Sequence, residues 1–300
     1  MLHYDFMQRA FCAGALLALA ASSLGVYLML RRQALMADML SHVSLAGIAG
    51  GAYLHVNPTV AGFVVAIAGA VAVEYVRRAY RTFSEISVAI IMVGGLSSAV
   101  ILMSLAGNVN KSFSSYLFGS LVAVNRTELT LMLGVAALAA VFFLVCRRAL
   151  YQMTFDEETA QTSGVPVRWL SLAFSVVTGM VVAAAMPIVG VLLVSALIIL
   201  PAALAIRIAS GFTAALVLAM LFGLTGVWSG LAASFALSTP PGGTIALILL
   251  VFLVVGIAAR KLATMLGKRR TSVREASEQP PLNEARYSNP SLSTHESGGS

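Results

Sequence analysis

Asp38 and His42 stand four residues apart in the stretch Ala37-Asp38-Met39-Leu40-Ser41-His42, inside an otherwise apolar run. On a helix that spacing stacks the carboxylate and the imidazole on one face, one above the other. Arg31 and Arg32 close the preceding apolar run. At about 1.5 Å per residue, Asp38 lies roughly 9 Å and His42 roughly 15 Å beyond Arg32. If Arg32 marks the edge of a hydrocarbon core about 30 Å thick, His42 reaches its middle. A carboxylate at that depth costs about 2.5–3.5 kcal/mol on insertion scales, so it must face protein or water rather than lipid. Carboxylate and imidazole together form a partial ligand set for a divalent transition metal. A plainer use of the pair is internal, with Asp38 bonding Arg31 or Arg32 and His42 bonding a backbone carbonyl. Met36 and Met39 flank the pair, where thioethers suit packing. Ser41 and Ser44 suit internal hydrogen bonds.

These side chains need a scaffold inside a membrane, and the composition supplies one. The 300 residues are 59% hydrophobic and only 10% charged, with a mean hydropathy of +0.91. Soluble domains carry about 25% charged residues, so this composition is that of an integral membrane protein. The apolar runs approach helix-spanning length and lack strand alternation, which makes the class all-α. The net charge of +7 sits at the ends of the apolar runs, the pattern of the positive-inside bias rather than of a nucleic-acid surface. Cys12 and Cys146 stand alone, which supports neither a disulfide framework nor a zinc cluster.

Run lengths and breaks predict nine transmembrane helices: 10–30, 33–54, 58–76, 84–106, 127–145, 168–186, 188–206, 212–235 and 244–259. The count falls to eight if the tight break at Pro187 keeps the sixth and seventh from both crossing. With the N-terminus outside and the C-terminus cytoplasmic, the inner ends collect Arg31, Arg32, Arg77, Arg78, Arg81, Arg147, Arg148, Arg168, Arg207, Arg260 and Lys261. The outer segments keep only Arg9, Lys111 and Arg126. The domain organisation expected is a permease domain over 1–262 and a disordered cytoplasmic tail over 263–300, polar and low in apolar residues. Lys268, Arg269 and Arg270 in that tail suit contact with anionic lipid. Between the fifth and sixth spans, 154–166 reads as a short cytoplasmic helix, with Thr154 as cap, acids in its first turn and Gly164 before Pro166. Gly94-Gly95 suits close helix packing or a kink. Glu74 and Glu85 read as interfacial partners of the nearby arginines, and His3, His55 and His295 fall outside the bilayer core. That leaves Asp38 and His42 as the one acid and the one imidazole deep in the apolar region. No phosphate-binding G-x-x-x-x-G-K-[ST], no HExxH and no GxSxG occurs, so no hydrolytic or nucleotide-cleaving activity is expected of this chain.

The stretch RRQALMADMLSHVSLAG at 31–47 resembles the signature of membrane permeases of bacterial zinc, manganese and iron ATP-binding-cassette importers. SYLFGSLVAVN at 115–125, SGVPV at 163–167, VGVLLVSALIILPAALAIR at 189–207 and STPPGG at 238–243 resemble further segments of that family, in the same order, over about 5–262. Ser120 departs from it, since many relatives carry an acid after the YLFG segment. The resemblance implies a permease in the bacterial cytoplasmic membrane, working as a homodimer or a pair of permeases. Its implied partners are cytoplasmic ATPase subunits, an extracytoplasmic metal-binding protein and membrane lipid, with no nucleic acid. It implies no cofactor and a transported ion of Mn2+, Zn2+ or Fe2+, with Asp38 and His42 as the transient transport site. It places Phe155, Asp156, Glu157, Glu158, Thr159, Ala160, Ser163 and Gly164 in the segment that couples to the ATPase. The expected function is ATP-driven alternating access powered by those separate subunits. The alternative is a secondary carrier exchanging metal for protons, with the same pair as proton relay. Two polar residues without a nucleophile do not make an intramembrane enzyme.

Overall fold

The computed structural model describes residues 5–79, 84–106, 116–120 and 126–278. His3, Arg81, Lys111, most of the loop expected at 107–125, His295 and the tail past Glu278 lie outside the described residues. Everything regular in the described residues is helical. In chain order the helices are α1 (Asp5–Leu30), α2 (Leu35–Tyr53), α3 (Pro58–Ala79), α4 (Ser84–Leu105) and α5 (Arg126–Val145). Two short helices follow, α6 (Arg147–Phe155) and α7 (Glu157–Thr162), and then α8 (Val167–Val189), α9 (Val194–Ile208), α10 (Phe212–Leu237) and α11 (Pro241–Glu278). Eight of these are long and apolar enough to cross a membrane.

The stops between helices have local causes. Arg32 and His55 take left-handed backbone (φ 56° and 55°), ending the register after α1 and α2. Asn57 then caps α3: its Oδ1 accepts the Thr59 amide at 3.0 Å, and Pro58 occupies the first helical position, where no amide is needed. Successive helices run alternately, so the turns gather at two ends. Residues 31–33, 157–158 and 165–169 share one cavity at the Arg31 end. Residues 117–119, 188–190 and 242 pack together at the other.

The sixth and seventh spans do not break at Pro187. Helix α8 runs through it to Val189, and the chain reverses at Gly190, with φ +83°. Pro187 has no amide to donate to the Ala183 carbonyl, so the helix continues through it at the loss of one ladder bond, and the Pro187 carbonyl accepts the Ser120 amide at 3.0 Å. After a 3-10 turn, Val191–Leu193, α9 has 15 residues. That is about 22 Å of helix, short of a full crossing. Among the described residues, eight long apolar helices and one short one therefore stand where the sequence predicts nine spans, or eight if the sixth and seventh do not both cross. A β-carbon on Gly190 would lie 2.4 Å from the Leu117 carbonyl oxygen. Gly190→Ala is accordingly expected to lose about 1–3 kcal/mol from the positive-φ extended backbone alone, before that clash, and to lower the melting temperature in detergent. Gly134→Ala, where a β-carbon meets nothing, should be neutral or slightly stabilising.

Helices α1, α2 and α8 carry the core, with Tyr27, Leu28, Met39, Leu40 and Phe174 all at or below 2% exposure. Helix α4 crosses α2 at Gly95, whose missing side chain lets it approach the Val43 backbone to the point where a β-carbon would sit 3.0 Å from the Val43 nitrogen. The expected close packing at Gly94-Gly95 is thus realised through Gly95, while Gly94 meets nothing. Met1–Val254 form one compact unit; a second, Val255–Ser300, holds the rest of α11. The helix continues to Glu278, into the stretch expected as disordered tail. Residues 260–278 are rich in Ala, Leu, Lys, Arg and Glu and free of proline until Pro280, so local propensity favours the extension.

Candidate functional site

Helix α2 is buried around most of its circumference. The positions left open or half-open are Leu35, Asp38, His42, Ala46, Gly50, Ala52 and Tyr53. Apart from Ala52 they recur every three or four residues, so they form one stripe along the helix. Asp38 and His42 are the polar members of that stripe, as their spacing required. Asp38 Oδ1 lies 3.9 Å from His42 Nε2, with side-chain exposures of 33% and 12%. That separation is too long for a hydrogen bond. His42 Nδ1 is buried and has no hydrogen-bond partner among the described residues. The imidazole is therefore not locked to a backbone carbonyl, and Arg31 is engaged elsewhere, by Ser171.

The neighbouring residues do as expected. Ser41 donates to the Ala37 carbonyl at 2.9 Å, and Ser44 donates to the Gly62 carbonyl of α3 at 3.0 Å. Met36 and Met39 are core residues. Towards the far end of α2, Leu45 and Ile48 pack with Ala99, Met186 and Val191, against Tyr116 and Leu117. This apolar plug lies on the Tyr53 side of His42. Among the described residues no group of three or more His, Cys, Asp and Glu converges on a metal position. One chain thus offers two of the four or more ligands that such ions take.

At the Arg31 end lies a charge cluster that the sequence reading undervalued. Glu74 is 3% exposed, more buried than Asp38. Its carboxylate pairs with Arg77 at 2.9 Å and Arg78 at 2.8 Å, and accepts the Ser175 hydroxyl at 3.1 Å. Ser171 Oγ, one turn earlier on α8, accepts from Arg77 at 2.8 Å and from Arg31 at 3.1 Å. The Arg31 guanidinium also lies over the Phe174 ring, 5.1 Å from its centroid. Burial, and then the like charge of Arg77, push the Arg31 guanidinium down to about 10, with Glu74 and Glu157 opposing. Asp38 is therefore not the only acid inside the helical bundle. Glu74 was legible from its spacing of three and four residues to Arg77 and Arg78. Glu85, expected to pair likewise, is exposed and makes no ion pair among the described residues.

The segment expected as one short helix capped by Thr154 is two helices, with Asp156 between them. Thr154 instead donates to the Leu150 carbonyl at 2.6 Å, inside α6. Asp156 has extended backbone, and its Oδ1 accepts the amides of Glu158 and Thr159, each at 3.1 Å. These bonds, together with the Thr159 hydroxyl on Oδ2, hold the Asp156 carboxyl below the usual carboxylate range. Helix α7 ends in a Schellman turn: the Val165 amide reaches the Ala160 carbonyl at 3.1 Å and the Gly164 amide reaches Gln161 at 3.2 Å. Gly164 supplies the positive φ of +84°. Ala160 is buried and anchors the segment, while Phe155, Asp156, Glu157, Glu158, Thr159, Ser163 and Gly164 are exposed. Behind it, rings of Phe155, Tyr151, Phe212, Tyr27 and Phe174 contact in series, at centroid distances of 4.8, 5.1, 5.3 and 6.2 Å.

Residues 3–260 match the model of a family described as the ABC 3 transport family. The chain belongs to that family. ABC 3 transport relatives include a probable metal transport system membrane protein of Treponema pallidum, 34% identical over 90% of this chain and all of its own length. A chelated iron transport system membrane protein of Yersinia pestis is 30% identical over 85% of each chain. Among solved structures, PsaBC from Streptococcus pneumoniae in complex with Fab superposes with a TM-score of 0.75 at 26% identity, covering 84% of this chain and 91% of that one. This ABC 3 transport chain is a multi-pass membrane permease, a transporter component and not a separate enzyme.

Proposed function

We propose that this permease passes a divalent transition-metal ion through the membrane in an importer driven by ATP hydrolysis on separate subunits. The observation that carries the reading is the Asp38–His42 pair on the one open stripe of α2, with His42 Nδ1 unpartnered. Relatives named for manganese, zinc and chelated iron transport support the class of cargo. Carboxylate with imidazole suits Mn2+, Zn2+ and Fe2+ alike. Two ligands per chain hold such an ion only if others join them. A second permease copy facing the stripe brings a symmetric pair, completing a set of four. Binding there is modest by design, because a transport site must release what it takes.

In this reading the Arg31 end faces the cytoplasm, as the arginine distribution requires, and 1–262 is the working permease. The exposed face of 154–166 docks on the ATPase, with Ala160 as its anchor into the membrane domain. An extracytoplasmic metal-binding protein delivers the ion at the Tyr53 end. No observation favours the proton-coupled carrier, and the family match favours the ATP-driven one.

The deciding experiment reconstitutes the permease with its ATPase subunits and its metal-binding protein and measures ATP hydrolysis and uptake with Mn2+, Zn2+ and Fe2+ in competition. Stimulation of both by one of these ions is the expected result. Uptake that persists without an ATPase subunit but follows a proton gradient rejects it. Phe155→Asp places a charge in the docking face, where the ring is 58% exposed. It is expected to cut co-purification of the ATPase severalfold while leaving metal binding at Asp38 and His42 intact.

A further inference from the structure

A cavity of about 760 Å³ at the Arg31 end separates the α1–α2 turn from the docking segment. Arg31 and Glu157 both line it. Arg31 is fixed by its hydrogen bond to Ser171 and by the Phe174 ring under it. Its other terminal nitrogen, Nη1, is buried and lacks a hydrogen-bond partner among the described residues. Charged donors make hydrogen bonds about twice as strong as neutral ones, and a buried one left unmade carries a matching penalty. The acceptors on offer are the carboxylates lining the cavity. Glu74 is saturated by Arg77, Arg78 and Ser175. Glu85 belongs to α4. Glu157 and Glu158 belong to the docking segment and are exposed, and of the two it is the Glu157 charge that acts on Arg31.

We propose that Arg31 is a positioning residue for transport: its free Nη1 takes the Glu157 carboxylate when the docking segment is pressed towards the membrane domain. The ion pair then fixes the turn that leads directly into Asp38 and His42. The cavity is the travel of this latch, and the Arg31–Ser171–Arg77–Glu74 chain ties the turn to α3 and α8. The inference rests on the proposed ATP-driven function and names how two of its parts communicate. A physical link of this kind needs a two-state element that both sites bias, and the Arg31–Glu157 pair is one.

The test uses the full permease reconstituted with its ATPase subunits and its metal-binding protein and reads the ratio of Mn2+- or Zn2+-stimulated to basal ATP hydrolysis, together with uptake. Glu157→Gln is expected to bring that ratio close to one and to lower uptake at least about tenfold. Glu157→Asp keeps the charge and should retain most of the stimulation. Arg31→Gln should match Glu157→Gln, and the double variant should be no worse than either single one, since both remove the same bond. Glu85→Gln, in the same cavity wall, should leave the ratio at the wild-type value. Glu157 is exposed, so its variants fold, and they decide the matter even if Arg31→Gln does not assemble. A wild-type ratio in Glu157→Gln overturns the proposal. So does loss of ATPase co-purification in that variant, because Glu157 would then serve docking itself. A wild-type complex without metal-stimulated hydrolysis overturns the proposed function, and the latch with it.

Discussion

Asp38→Ala and His42→Ala are each expected to bring metal-dependent uptake down to background while the permease still accumulates in the membrane. Each chain offers two ligands, so one substitution removes half of its contribution. Loss of groups that merely orient a ligand already costs about 10–100-fold in metal affinity, and removal of a ligand itself should cost more. Stability should move the other way, if it moves. Asp38 makes no close ion pair, its contact with His42 being 3.9 Å, so nothing buried is left unpaired by its loss. Replacing a carboxylate at that depth with a methyl group relieves an insertion penalty of about 2.5–3.5 kcal/mol. Lower uptake with unchanged or higher membrane yield is therefore the signature of a ligand. Lower uptake with lower yield would mark Asp38 as a structural residue, and unchanged uptake of all three ions would remove the pair from the transport route.

What the sequence disclosed and what it withheld divide along the range of the interactions concerned. The placing of Asp38 and His42 on one face of α2 and the Ser41 bond to the Ala37 carbonyl depend on helical periodicity within a few residues, whereas the Ser44 bond crosses to the Gly62 carbonyl of α3. The spans were legible because each is a run of apolar residues bounded by charge or by Asn-Pro. The errors came where a local signal was ambiguous or a distant partner decided. Pro187 reads as a boundary, but the helix runs through it at the loss of one ladder bond, and it is Gly190 that holds the backbone conformation reversal requires. Thr154 looked like a cap because hydroxyls often are. Asp156, two residues on, has the extended backbone and the carboxylate that caps the next helix instead. Glu74 was placed at an interface because arginines flank it. Its burial is set by α8, about a hundred residues away, where Ser171 and Ser175 present hydroxyls one turn apart. That spacing was visible in the sequence, but nothing local said which helix it faced.

Glu74→Ala is expected to be the most damaging single change in the membrane domain outside the backbone-strained glycines. Removing one member of a buried charge cluster strands the others, typically at about 3–5 kcal/mol. Here Arg77 and Arg78 would face each other without their shared carboxylate, and the Ser175 hydroxyl would lose its acceptor. Their side chains are 19% and 36% exposed, so part of their charge reaches water and the loss should fall at the lower end, about 3 kcal/mol. The readout is a melting temperature of the detergent-solubilised permease, with Glu85→Gln as the neutral comparison, within about 0.5 kcal/mol. Because stranding rather than lost attraction causes the damage, a paired change should undo much of it. Glu74→Met with Arg77→Met removes two of the three charges at similar volume and leaves Arg78, whose side chain is 36% exposed, to reach water; replacements of a buried pair are often neutral or stabilising. Recovery of the melting temperature in that double variant, with uptake still depressed, would separate two roles of the cluster: holding α3 against α8, and seating Arg31 on Ser171 at the foot of the helix that bears Asp38 and His42. If the double variant recovers both, the cluster serves the fold alone.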